Sequence, residues 1–283
     1  MYKPQSTSRR DSCKTYNLLK MKKTDEFYVS YIEGSMGYQT KKTIKKFIFL
    51  IVMSVCIGAF VFSFSQQPFK NSSFELTTAT KITGVFHQTP YPMLRIEVAK
   101  NEFKNILLLG FGKSSANPFL KKVQKEVVDL NGSHLTIEGN LIYYNGKTLI
   151  QITDENKVSF LSESKMQLPE KTIIGSMTLT GEIIDPKCYF GVMKPGKGKI
   201  HRSCAIRCIS GGIPPVLATT DKNNLKHYFL ITNIHGGPIH KEILPFIGKP
   251  AEITGIVEKM EDWYVFKIDT ENIKELKKKS AIY

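Results

Sequence analysis

Two stretches of this chain spell one pattern in one register, and that repeat constrains the fold more than any other feature. Ile137-Glu138-Gly139 is matched by Ile253-Thr254-Gly255, Leu149 by Val265, Ile152 by Ile268 and Glu155-Asn156 by Glu271-Asn272, all at an offset of 116 residues. Nearer the front of each unit, Thr83-Gly84 is matched by Thr180-Gly181, but at an offset of 97. The second unit has therefore gained 19 residues between its first and later strands, close to the span from Cys188 to Cys208. The cysteine segment reads as an insertion into a repeated scaffold. In the first unit KITGVF, MLRIEVA and NILLLGFG read as strands. Phe119, Leu120, Val123, Val127 and Leu130 are spaced as one helix face. Asn145-Gly146 joins two further strands as a hairpin. Five short strands with a helix before the last pair is the order of an OB-fold barrel. The expected architecture is mainly β, with two tandem OB-like barrels, residues 78–160 and 172–278, each with one helix. The Cys/His loop lies at 188–215.

Ahead of the barrels lies an apolar run that opens at Phe47, closes at Phe64 and carries no charge. About 18 such positions is near the lower limit for crossing a bilayer. Lys41, Lys42, Lys45 and Lys46 sit immediately before it. The positive-inside bias then puts the N-terminus in the cytoplasm and the rest of the chain outside, as a single-pass protein of the inner membrane with a periplasmic body. The competing reading is a signal peptide cut after Ser63-Phe64-Ser65, although the run is long for one. Residues 1–46 read as a disordered basic tail and 47–65 as the anchor. Met36, followed by a charged segment, is an alternative start.

The net charge of +15 is unevenly placed, because residues 1–46 hold eleven Lys/Arg against four Asp/Glu. That distribution fits a cytoplasmic membrane flank better than a nucleic-acid groove. Of the five cysteines, Cys13 lies in the tail and Cys56 in the apolar run, which leaves three together outside.

Those three sit in CYFGVMKPGKGKIHRSCAIRCISGGIPP. Lys199 to Ser210 reads as a short helix stopped by Gly211-Gly212. At about 100° per residue His201, Cys204 and Cys208 share one face of it. Cys188, ending the preceding strand, can approach the same spot. Three thiols and an imidazole suit zinc or another thiophilic ion in a tetrahedral set. An oxidising compartment offers the alternative of a disulfide. Thiols four apart on a helix are poorly placed to bridge each other, so Cys188 would be one half and a redox-active thiol would be left over. Lys197, Lys199, Arg202 and Arg207, with Lys194, form a basic, anion-facing rim that would favour thiolate or simply be solvated. No C-x-x-C-H for covalent haem occurs.

The second unit, through TGEIIDPKC, HRSCAIRCISGGIPPVLATTD and IGKPAEITGIV, resembles small extracytoplasmic OB-fold modules of bacteria. These carry a G-x-[IV]-x-D-x-x-C … C-x-x-x-C-[IV]-x-x-G pattern and end in G-K-x-[VA]-x-[VI]-[TS]-G. The resemblance covers residues 172–276 and implies the fold and the placement of Cys188, Cys204 and Cys208. The first unit keeps the strand pattern without the cysteines.

His235 and His240, flanking a Gly-Gly-Pro turn, and Asp185, preceding Pro186, are secondary candidates that also have ordinary turn-shaping readings. Trp263, Tyr264 and Phe266 could stack a ligand or fill the barrel. No P-loop, dinucleotide fingerprint or Ser-His-Asp pattern is present, and no residue is assigned a catalytic role. The expected function is that of a membrane-anchored accessory or binding protein serving another envelope protein, with a metal-binding or redox-active loop. A peptide- or oligosaccharide-binding module with a structural disulfide is one alternative, and a thiol-dependent enzyme is another.

Overall fold

The computed structural model describes residues 38–65, 72–127, 129–163, 168–193 and 195–276. Most of the basic tail, the alternative start at Met36, Cys13, residues 66–71 and Lys194 lie outside the described residues. Helix α1 (Tyr38–Ser65) is 28 residues with no buried side chain, long and apolar enough to cross a membrane. At 1.5 Å per residue it measures about 42 Å. It begins nine residues ahead of the expected anchor. Lys41, Lys42, Lys45 and Lys46 therefore form its first turns instead of a disordered flank, as suits good helix formers with no Gly or Pro among them.

The remaining residues build a second unit of two closed five-stranded barrels. The first uses β1 (Ser72–Phe74), β2 (Thr80–His87), β3 (Met93–Ala99), β4 (Glu102–Gly110), α2 (Asn117–Glu126), β5 (Ser133–Tyr144), β6 (Lys147–Ile152) and β7 (Val158–Glu163). Its strands close in the order β2-β3-β4-β6-β5, with β4 and β6 parallel and every other pair antiparallel. β1 and β7 pair with β5 outside this circuit. β1 lies ahead of the expected start of the first barrel at residue 78, because Phe74 packs into the buried cluster beside Ile142. The second barrel uses β8 (Thr172–Ile184), α3 (Gly198–Ser210), β9 (Val216–Thr220), β10 (Lys226–Asn233), β11 (Pro250–Met260) and β12 (Trp263–Glu275). It closes as β8-β9-β10-β12-β11, again with one parallel seam, β10 against β12.

Pairing registers coincide at the offsets read from the sequence. Ile82 faces Ile137 in the first barrel, and Leu179 faces Ile253 in the second. Ile142 faces Leu149, and Glu258 faces Val265. The Asn145-Gly146 turn has φ of 48° and 82°, the left-handed pair that a two-residue hairpin requires.

Two helix details differ from expectation. α2 stops at Glu126, since Val127 turns extended while its N–H still bonds the Val123 carbonyl. The second barrel has no α-helix between β10 and β11, only a 3₁₀ turn at Leu244–Phe246. Pro238, Pro245 and Gly248 interrupt any helical run there. That barrel's helix is α3, inside the cysteine segment between β8 and β9.

Each barrel has its own core. Phe86, Leu108, Leu120 and Ile150 fill the first, and Ile183, Ile253, Phe266 and Ile268 the second. A third buried cluster belongs to both. Met93, Leu107, Ile142 and Tyr144 from the first barrel meet Phe190, Tyr228, Trp263 and Val265 from the second. The barrels are therefore bonded through a shared core. Tyr91 Oη donates to the Ile231 carbonyl at 2.6 Å and Trp263 Nε1 to the Asn105 carbonyl at 2.9 Å.

Candidate metal centre

The cysteine segment leaves β8 at Asp185. One carboxylate oxygen, Oδ1, accepts the Lys187 N–H at 2.9 Å, and the Asp185 carbonyl accepts the Tyr189 N–H at 3.0 Å. The chain then makes a single π turn, Cys188–Val192, closed by the Met193 N–H on the Cys188 carbonyl at 3.1 Å. π turns of this kind are frequent at functional sites. This one drives Phe190 into the shared core, where its ring stacks on Tyr144 at 5.6 Å and meets Tyr228 edge-on at 4.9 Å. Cys188 is fixed at the start of that wedge.

α3 follows from Gly198, with His201 and Cys208 buried and Cys204 half-buried. Two sets of side chains come together, and they share Cys188. The sulfurs of Cys188, Cys204 and Cys208 lie within 4.8 Å of one another, as do the ligand atoms of Asp185, Cys188 and His201. All three thiols are unbridged. Asp185 is 0% exposed and His201 3%. Asp185 Oδ2 and His201 Nε2 are buried with no hydrogen-bond partner among the described residues. A buried polar atom left unpaired costs about 1–3 kcal/mol, so two in one cluster call for an explanation.

Of the two readings of the basic rim, thiolate-favouring or solvated, the electrostatics support the second. The hydrogen bond to Cys208, followed by burial, pushes the Cys188 thiol up, and burial first pushes Cys204 up. Burial likewise pushes His201 down, keeping the imidazole neutral. Basic side chains of the rim do not reverse this. Lys197, Lys199 and Arg207 are exposed, and Arg202 spends its guanidinium on the Ile247 and Pro245 carbonyls at 3.0 and 3.2 Å. The Cys188 and Cys204 thiols hold their protons until something displaces them, as a metal ion does on binding.

A buried cation, absent from the residues singled out in the sequence, stands beside the cluster. Lys187 is 4% exposed, and its ammonium donates to the Gly110 and Gly112 carbonyls of the first barrel at 2.8 Å each. Burial pulls its pKa down, while Asp185, Cys208 and Cys188 pull it up. The same first-barrel loop reaches the end of α3, where the Ser115 N–H bonds the Gly211 carbonyl at 3.0 Å. A Cβ on Gly211 would stand 1.9 Å from the Lys113 carbonyl oxygen, so only glycine fits. The adjacency of Lys187 to Cys188 was the one available signal.

His235 and His240 belong to neither ligand set. His235 is exposed on a turn whose N–H bonds Asn233 Oδ1 at 3.0 Å. His240 bonds the Ile209 carbonyl and rests edge-on against Tyr91 at 5.9 Å. Trp263 and Phe266 are wholly buried and Tyr264 half-buried, so these three do not form a stacking face. No protein-family model matches the chain, and no curated protein matches it.

Proposed function

We propose that this is a membrane-anchored metal-binding protein. Its two-barrel body lies on the extracytoplasmic side, binds zinc or another thiophilic divalent ion through Cys188, Cys204, Cys208, His201 and Asp185, and serves a partner complex of the envelope. The observation that carries this reading is the pair of unpartnered, fully enclosed atoms, Asp185 Oδ2 and His201 Nε2, beside three free thiols. Sulfur, imidazole and carboxylate are the donor set of Zn²⁺. α1 and its preceding lysines support the anchor and its orientation. In this reading the exposed rim of Lys197, Lys199 and Arg207 remains available to an acidic partner surface.

Metal analysis of the full chain purified in detergent tests it. The expected result is at least one thiophilic ion per chain, lost in a Cys188→Ser, Cys204→Ser, Cys208→Ser triple variant. Metal-free protein with three freely alkylated thiols, after growth with zinc, would sink the proposal. Protease protection in oriented vesicles reads the orientation separately.

The groove on the second barrel favours a second reading, that of a ligand-binding module. About 470 Å³ of space runs beside β8, floored by Phe229 and Tyr264 and edged by Thr178, Thr180 and the Asp221–His227 pair. An extended peptide or sugar chain would fit there. It predicts binding unaffected by the triple cysteine variant.

A further inference from the structure

We infer that the cluster is built for two cations, with the Cys188 thiolate as the bridge between them; this rests on the metal-binding reading above. Five ligand-bearing side chains are more than one tetrahedral ion takes. The structure sorts them into two triads whose only common member is Cys188. A thiolate sulfur has lone pairs enough to bind two ions at once. Metal–ligand bonds are about 2.0–2.3 Å, so three donor atoms within 4.8 Å of one another need only a small contraction to close on an ion at their centre. One ion then sits among Cys188, Cys204 and Cys208, the other among Asp185, Cys188 and His201.

The unpartnered atoms point the same way. Both belong to the second triad, Asp185 Oδ2 and His201 Nε2. An ion held by the three sulfurs alone would leave them unsatisfied. Asp185 Oδ1 is already occupied by the Lys187 N–H, which orients the carboxylate as an outer-sphere hydrogen bond orients a ligand.

Charge accommodates the second ion. Three thiolates and one carboxylate carry four negative charges, and the buried ammonium of Lys187 offsets one. With that ammonium counted, one divalent ion leaves the group at −1 and two leave it at +1, while two divalent ions alone balance the four anionic ligands.

Cobalt(II) titration of the reduced full chain in detergent tests this. The sulfur-to-cobalt charge-transfer band should rise with a break at two equivalents. At saturation the electron-spin signal should be largely lost, because a bridging thiolate couples the two ions antiferromagnetically. An Asp185→Asn, His201→Gln variant should break at one equivalent, keep the charge-transfer band and retain its spin signal. A wild-type break at one equivalent, with full spin signal in excess cobalt, would overturn the two-ion inference and leave a single metal site. Absence of any charge-transfer band would overturn both readings. The wild-type titration decides the matter even if the variant fails to fold.

Discussion

His87 shows how one buried residue sets a pH limit on this molecule. Its Nε2 meets Asn105 Oδ1 at 2.9 Å and its Nδ1 the Thr89 carbonyl at 3.3 Å, deep beside the seam between the barrels. Burial pushes its pKa below the ordinary 6.5, against the opposing pull of the Asn105 and Thr89 bonds and of Glu261. His201 and His240 are shifted in the same direction, also by burial first. A depressed histidine means that, just below pH 6.5, the unfolded chain binds more protons than the folded one, so stability rises with pH in that window. The contribution is complete above 6.5 and is lost as pH falls from 6.5 through the lowered folded value. Thermal melts of metal-free protein should therefore drop in midpoint between pH 7.5 and 5.5. A His87→Gln substitution should flatten part of that slope, and an unchanged slope would remove His87 from this role.

Among the elements, α3 is held by its C-terminal end as much as by its buried face. Gly211 has φ −79°, a value any residue accepts, so its requirement is space and not backbone freedom. The Lys113 carbonyl fills that space, and being backbone it cannot swing aside. Gly211→Ala should cost roughly 1–3 kcal/mol through overpacking. For a body of this size that is about 2–12 °C in melting midpoint. Gly146→Ala is the contrast, because nothing lies within 4 Å and only its φ of +82° resists. Its penalty should be nearer 1 kcal/mol. Calorimetry of the two variants separates the causes. If Gly211→Ala melts like wild type, the first-barrel loop does not clamp α3.

For the molecule as a whole, the shared core predicts that the two barrels unfold together. Trp263 is the only tryptophan, wholly buried at the seam, with Lys147 over its ring at 4.9 Å and its N–H on the Asn105 carbonyl. Beside it Arg95 Nε donates to Glu261 at 2.7 Å, and Asp262 accepts the Asn105 N–H at 2.9 Å. Fluorescence of Trp263 and far-UV circular dichroism should trace one coincident transition in denaturant. Trp263→Ala should lower its stability by about 3–5 kcal/mol. Two separated transitions would mean that the barrels stand independently.

Local periodicity was enough to place most of this architecture. The membrane-length helix, the strands of both barrels, the Asn145-Gly146 hairpin and the one-turn spacing of Cys204 and Cys208 depend on residues a few positions apart, whose geometry is set by 2.0 and 3.6 periods; His201 falls into a different ligand triad from those two cysteines. The same reasoning put the second unit's helix before its last strand pair, where prolines leave a 3₁₀ turn, and it left the basic rim as either thiolate-favouring or solvated, where a hydrogen bond and burial raise the Cys188 thiol and burial raises that of Cys204. Only the tertiary structure could decide those sulfurs' surroundings. Lys187 finds its carbonyl partners 77 and 75 residues away in the other barrel. Asp185 joins the cluster because a π turn and a shared core bring the end of β8 against α3. Solvation and proton affinity follow from which distant segments close over a group, and no local pattern of side chains records that.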